Sequence, residues 1–136
     1  MINYRMYFSV LDELDLADGF FEGWPQHPDK NTHRKILKNS YKAIVAIDAE
    51  KNRIVGFINI ISDGVLSAYI PLLEVIPAYR NQGIGSQLLK LALKELDDFY
   101  MIDLVCDEDR ISFYEQHGMI KSTAMIWRNF KKQSGN

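Results

Sequence analysis

The stretch Leu72-Leu-Glu-Val-Ile-Pro-Ala-Tyr-Arg-Asn-Gln-Gly-Ile-Gly-Ser86 decides how this chain is read. An apolar strand runs into Pro77, a short polar segment follows, and two glycines lead directly into a long helical pattern. Unpaired N–H groups at a helix start, backed by the positive end of the helix dipole, form an anion site. Gly83 and Gly85 let backbone approach an anion closely, while Arg80 brings positive charge and Ser86 a hydroxyl. A dinucleotide loop needs a third glycine at position 88, which is Leu88, and a strand ending beside the first glycine. A nucleoside-triphosphate loop needs Gly-Lys before Ser or Thr, and the chain has no Gly-Lys pair. On the glycines alone, a plain helix start after a turn stays equally open.

Working outward, residues 83–99 read as a helix with Ile84, Leu88, Leu89, Leu91, Ala92 and Leu96 on its buried face. Before it, 43–47, 54–61 and 66–76 are β-branched runs separated by short turn signals, as in antiparallel hairpins. Pro71 inside the third run predicts a bulge or a splayed end. Residues 101–106 read as a short strand, reached by a helical crossover and hence parallel to the third run. A brief helix over 112–117 ends at Gly118, and 119–129 reads as a last strand. Near the start, 3–10 reads as a strand and 11–16 is ambiguous. The Gly/Pro-rich aromatic segment 18–28 reads as a loop, and a helix capped by Asp29 or Asn31 runs to about Asn39, with Ile36 and Leu37 inward. The expectation is one α+β domain over 1–130, with a mixed, mostly antiparallel sheet flanked by helices and a frayed tail at 131–136.

Arg80-x-x-Gly83-x-Gly85 after a strand ending in Glu-Val-x-Pro resembles the acyl-CoA signature of the GNAT superfamily of N-acetyltransferases. A second run, Leu104 to Met119, resembles that family's other signature through Phe113, Tyr114 and Gly118. It departs from it at Asp107 (usually Asn), Arg110 (usually Ala) and Met119 (usually Phe). The resemblance covers residues 66 to 120 and implies acetyl-CoA as the acyl donor. It implies a pyrophosphate held by N–H groups of Gln82, Gly83, Ile84, Gly85 and Ser86, with Arg80 and Asn81 alongside. It also implies a strand splayed around Leu73 to Val75, pairing with the pantetheine arm, and a position for Asp107 beside the cofactor. Tyr114 falls where the family keeps a tyrosine that protonates the departing thiolate; otherwise it packs on the sheet with its hydroxyl in water.

Glu74 is a candidate base for an amine nucleophile, with Tyr69, expected on the opposite face of the strand, and Glu22 as competitors. The strand N–H near Val75 is the expected oxyanion donor. Phe20, Phe21 and Trp24 either wall an acceptor pocket, together with Tyr69, or plug the core beneath their loop. His27, His33 and His117 have no metal-ligand spacing and read as surface residues.

Sixteen basic against eighteen acidic residues lack the surplus that nucleic-acid binding requires. The first ten residues lack the apolar core of a signal peptide. No run approaches the roughly 20 apolar residues of a membrane span, and Cys106 has no disulfide partner. The expected setting is cytoplasmic, with partners limited to an acyl-CoA and a small amine or peptide amine. The chain is expected to be a monomer or a homodimer, with the exposed stretch 126–130 able to pair with another subunit. The function these features imply is acyl transfer to an amine in a ternary complex. The alternative is a non-catalytic acyl-CoA sensor or interaction module.

Overall fold

The computed structural model describes all residues from Met1 to Asn136. Its sheet contains β1 (Ile2–Met6), β2 (Asp15–Leu16), β3 (Lys42–Asp48), β4 (Arg53–Ser62), β5 (Ser67–Val75) and β6 (Met101–Asp103). The spatial order is β1-β3-β4-β5-β6, with the two-residue β2 lying parallel against the start of β4. Neighbours are antiparallel from β1 to β5, and β5 with β6 is parallel, as a helical crossover demands. Three helices complete the fold: α1 (Lys30–Asn39), α2 (Ile84–Glu95) and α3 (Ile111–Glu115).

Both faces of β4 are covered, so the strand reads as a nearly continuous apolar run. One face meets α2: a Cβ placed at Gly56 would lie 3.4 Å from both Ile84 Cγ2 and Leu88 Cδ1. The other face carries Phe57 against Phe20, Phe21 and His33, with ring centroids 4.5–6.2 Å apart. Asp29 caps α1 by accepting from the Thr32 N–H at 2.8 Å. That helix buries Thr32, His33 and Leu37, while Ile36 is only half-buried.

The β4–β5 register slips between Asn59 and Ile61, so Ile70 and Pro71 together oppose Ile60. This is the bulge that Pro71 predicts. The extra residue also corrects one expectation. Tyr69 pairs with Ile61 and Glu74 with Phe57, four apart on a regularly paired stretch of β4, so Tyr69 and Glu74 share a face.

Two elements differ from the sequence reading. The first strand stops at Met6, because Ser9–Glu13 turns into a short 3₁₀ segment that buries Leu11. The expected last strand is absent: residues 119–129 form no helix and pair with no strand. Their β-branched and aromatic composition signals a strand only when an edge is in reach. Beyond them, Phe130–Lys132 forms a 3₁₀ turn and Gln133 accepts a hydrogen bond from the Gln26 N–H, so 131–136 touches the body of the protein. No helix is long and apolar enough to cross a membrane.

Candidate active site

The parallel pairing of β5 with β6 lasts for three residue pairs, Ser67 to Tyr69 with Met101 to Asp103. From there to Val75 the β6-facing edge of β5 is open, and the two strands form a fork. The Ile76 N–H donates to Val55 on β4, whereas the Val75 carbonyl accepts from Arg80. Strand alternation therefore turns the N–H groups of Val75 and Leu73 into the fork.

The fork opens toward the start of α2. After a 3₁₀ turn at Pro77–Tyr79, Asn81 and Gly83 adopt left-handed φ values of 63° and 81°. The next backbone donor bonded within the helix pattern is Gln87, to the Gly83 carbonyl. The six N–H groups from Asn81 through Ser86 have no protein acceptor. Six adjacent unpaired donors at a helix N-terminus are a strong anion cradle. A Cβ on Gly85 would rest at ordinary contact distance, 3.8 Å from Phe113 Cζ and 3.9 Å from Val75 Cγ2, so this residue lies where α2, α3 and the fork meet.

Arg80 lies nearer the strand than the turn. Its Nε donates to the Val75 carbonyl at 3.0 Å, and its Nη1 lies 3.3 Å from Glu22 Oε1. The base of the turn is tied down by Tyr79, whose hydroxyl donates to Asp48. That carboxylate also accepts the Glu50 and Lys51 N–H groups, and the Tyr79 bond is the leading cause holding it below its ordinary pKa.

Across the fork, Tyr114 and Tyr69 line one cavity of about 1230 Å³. Burial, and then the nearby Cys106, raise the Tyr114 pKa above the ordinary phenol value despite Arg110, so the phenol keeps its proton at neutral pH. His117 follows one turn later. Its Nε2 is 3.0 Å from Ser86 Oγ, and its ring lies 5.3 Å from that of Phe113. Asp107 is exposed at the start of a 3₁₀ turn, with its side chain unpartnered.

On the other flank of β5, Glu74 is half-buried and accepts the Phe21 N–H at 2.7 Å. Desolvation raises its pKa, opposed by that bond and by Arg80. Phe20 and Phe21 are 9% and 3% exposed, which makes these two rings a plug in the core rather than a pocket wall. Trp24 is half-buried, with its ring 5.0 Å from that of Phe21. His33 is not a surface residue. It is 2% exposed among Phe20, Phe21 and Phe57, its Nε2 has no partner, and burial lowers its pKa to about 4.

Sequence reasoning thus finds the turn and Tyr114 and misses His117, the Tyr79–Asp48 tie and the Glu74–Phe21 bond. For His117 a local signal exists, the i,i+4 spacing from Phe113. The other two join residues 31 and 53 apart, and no local pattern announces them.

A mixed sheet with a forked parallel strand pair and a helix start beside it is the α+β architecture that the acetyltransferase resemblance implies. The chain belongs to the acetyltransferase (GNAT) family, whose family model matches residues 11–119. It is 30% identical over 125 residues to a ycf52-like N-acetyltransferase of Prochlorococcus marinus, covering 85% of this chain and 68% of that one. It is also 30% identical over 107 residues to the histone acetyltransferase TAP1 of Glycine max, covering 71% of this chain and 46% of that one. The chain therefore spans about half the length of the soybean relative. A crystal structure of an assigned acetyltransferase from Deinococcus radiodurans superposes with a TM-score of 0.88 at 38% identity, covering 98% of this chain and 92% of that one. A GNAT-family acetyltransferase from Streptococcus pneumoniae superposes with a TM-score of 0.70 at 28% identity, over 95% and 98% of the two chains.

Proposed function

We propose that the chain transfers an acetyl group from acetyl-CoA to an amine by direct attack in a ternary complex, within one domain over 1–130. The observation that carries this reading is the run of six unpaired N–H groups from Asn81 to Ser86 at the mouth of the β5–β6 fork. Their number and spacing suit a diphosphate, which offers several acceptor oxygens to adjacent donors. Arg80 and Asn81 flank it, Ser86 contributes its hydroxyl, and Asp107 stands at the position where the family resemblance expects a cofactor neighbour. The open N–H groups of Leu73 and Val75 suit an extended amide arm lying along β5, as an added strand would. Acetyl-CoA, when bound, supplies an activated thioester.

The chain's own residues then divide the work. The Val75 N–H faces the fork and stabilises the oxygen on which negative charge develops. Tyr114 holds a proton at its phenol oxygen and delivers it to the departing sulfur. Glu74 removes a proton from the amine, directly or through water, and its desolvated carboxylate is the stronger base for being raised. Glu22, paired with Arg80, and Tyr69, on the same face as Glu74, border the acceptor side with Trp24. Phe20 and Phe21 shape that side from below by fixing the loop.

Binding and turnover are tested separately. Acetyl-CoA and desulfo-CoA should both raise the melting temperature, and acetyl-CoA should release thiol with at least one member of an amine, polyamine and peptide library. Loss of the thermal shift removes the whole reading. A shift with no thiol release across the library leaves a CoA-binding module instead of an enzyme.

A further inference from the structure

One side-chain hydrogen bond joins the first turn of α2 to the segment that carries Tyr114. Ser86 Oγ and His117 Nε2 lie 3.0 Å apart across a sequence separation of 31 residues, and both side chains are half-buried. No step of the acetyl transfer uses His117, yet its partner lies inside the anion cradle.

The place of the histidine is set from two sides. Phe113 stands four residues earlier, its ring 5.3 Å from the imidazole, and its Cζ would lie 3.8 Å from a Cβ on Gly85. The His117 N–H donates to the Tyr114 carbonyl at 3.0 Å, and the Met119 N–H donates to the same oxygen at 3.2 Å. Gly118, at φ 90°, lets the chain turn away directly after the histidine. The segment therefore seats on the start of α2 by an apolar contact at Gly85 and a polar one at Ser86.

The chemistry of the pair gives the bond a direction. A serine hydroxyl has one proton to donate, and a neutral imidazole has one donor and one acceptor nitrogen. Around Ser86 the cradle consists of donors, the six N–H groups from Asn81 to Ser86, and an anion there can only accept. With Nε2 as acceptor, the Ser86 proton would go to the ring and the hydroxyl would turn a lone pair toward the anion, which is repulsive. With Nε2 protonated, the ring donates to Ser86 Oγ and the serine proton is left for the ligand. Without the ring, the hydroxyl is free to turn back to its own backbone.

We propose that His117 is a positioning residue for the cofactor diphosphate: its Nε2–H donates to Ser86 Oγ and turns the serine proton into the cradle. Ser86 then adds an oriented hydroxyl donor to the six N–H groups, and the histidine acts on the ligand only through it. This role rests on the acetyl-transfer reading, which supplies the diphosphate.

The test needs binding alone. Titration calorimetry with acetyl-CoA is compared for the wild type, His117→Leu, His117→Gln, Ser86→Ala and the double variant Ser86→Ala/His117→Leu. The Kd should rise about tenfold in His117→Leu, the worth of one hydrogen bond to a charged acceptor. His117→Gln, whose amide N–H reaches about as far as Nε2, should recover most of that loss. Ser86→Ala should weaken binding to a similar degree, and the double variant should bind no worse than either single one, because both substitutions remove the same contact. In ¹⁵N spectra of the wild type bound to desulfo-CoA, Nε2 of His117 should be protonated. A bare Nε2 in that complex overturns the proposal. So do an affinity that His117→Leu leaves unaltered, a His117→Gln variant that recovers nothing, or losses that add in the double variant, which would make the ring a packing residue. Any of these with a wild type that binds acetyl-CoA removes the role of His117 alone, whereas a wild type that does not bind removes the acetyl-transfer reading with it.

Discussion

The two flanks of β5 at its C-terminal end are built from different material. On the side of the fork, the turn Asn81–Ser86 presents backbone: six unpaired N–H groups whose directions follow from two left-handed residues and a helix start. On the side of the aromatic loop, the assembly is made of side chains, with Glu74 bonded to the Phe21 N–H and His33 enclosed by three phenyl rings. Backbone donors tolerate substitution of most neighbouring side chains, so Asp107, Arg110 and Met119 can depart from the family pattern without disturbing the cradle. The side-chain flank has no such tolerance. Its groups are buried or half-buried with few partners, and each replacement there should be felt.

The largest expected effect lies across the fork from the cradle. Tyr114→Phe removes only a hydroxyl that has no hydrogen-bond partner in the protein, so folding and acetyl-CoA affinity should be kept. Turnover measured by thiol release should fall ~10²–10⁴-fold, the usual worth of a positioned acid. Full turnover in this variant would strip the fork flank of its chemistry and leave it a binding surface.

On the opposite flank the expected effect is on stability. The His33 pKa in the folded state is about 4, against an ordinary value of 6.5, because burial opposes the charged ring. Between those values the unfolded chain binds a proton that the folded chain refuses, so stability falls as pH drops from 6.5 to about 4. A gap of 2.5 pKa units corresponds to about 3 kcal/mol. Urea unfolding at pH 6.5 and pH 4 should show this loss in the wild type and a markedly smaller one in His33→Leu. Equal losses in both proteins would assign the acid sensitivity to other groups.

These flanks also differ in how far the sequence discloses them. The turn is legible because a helix start, two glycines and a strand ending at Pro77 occur within fifteen residues, and the geometry they impose is local. Pro71 announces its bulge for the same reason. The identity of the loop's partners is not legible: that Phe21 meets Glu74, or Tyr79 meets Asp48, follows only once the strand order brings distant residues together. His33 looks like a surface histidine in a helix of lysines, arginine and asparagines, and only the packing of Phe20, Phe21 and Phe57 encloses it. The segment 119–129 fails for another reason. Its strand propensity is real, but propensity cannot specify whether an edge is within reach.

Glu74→Gln sharpens the contrast by moving stability and activity in opposite directions. The raised pKa means that the folded protein keeps the carboxyl proton above the pH at which the unfolded chain releases it. Stability therefore declines as pH rises through that window, and a fixed penalty persists above it. Glutamine still accepts the Phe21 N–H but carries no charge to desolvate. At neutral pH the variant should melt no lower than wild type, while turnover drops about 10²-fold if the carboxylate is the base. Unimpaired turnover would leave Glu74 a structural partner of the loop and pass the base role to Glu22 or Tyr69.

The smallest effect separates two glycines in the cradle itself. Gly83 has open space around it but a φ of 81°, whereas Gly85 has no left-handed φ and has neighbours at ordinary contact distance. Gly83→Ala should cost about 1–2 kcal/mol of stability through backbone strain alone. Gly85→Ala should leave stability nearly unchanged, because a methyl at 3.8 Å from Phe113 and 3.9 Å from Val75 clashes with nothing. Yet that methyl stands where α2, α3 and the fork meet, so acetyl-CoA should bind more weakly to this stable variant. If affinity instead follows stability in both variants, the turn matters only as a helix start. If affinity falls in Gly85→Ala while its melting temperature holds, the two glycines serve different ends, one setting the path of the chain and the other keeping room for a ligand.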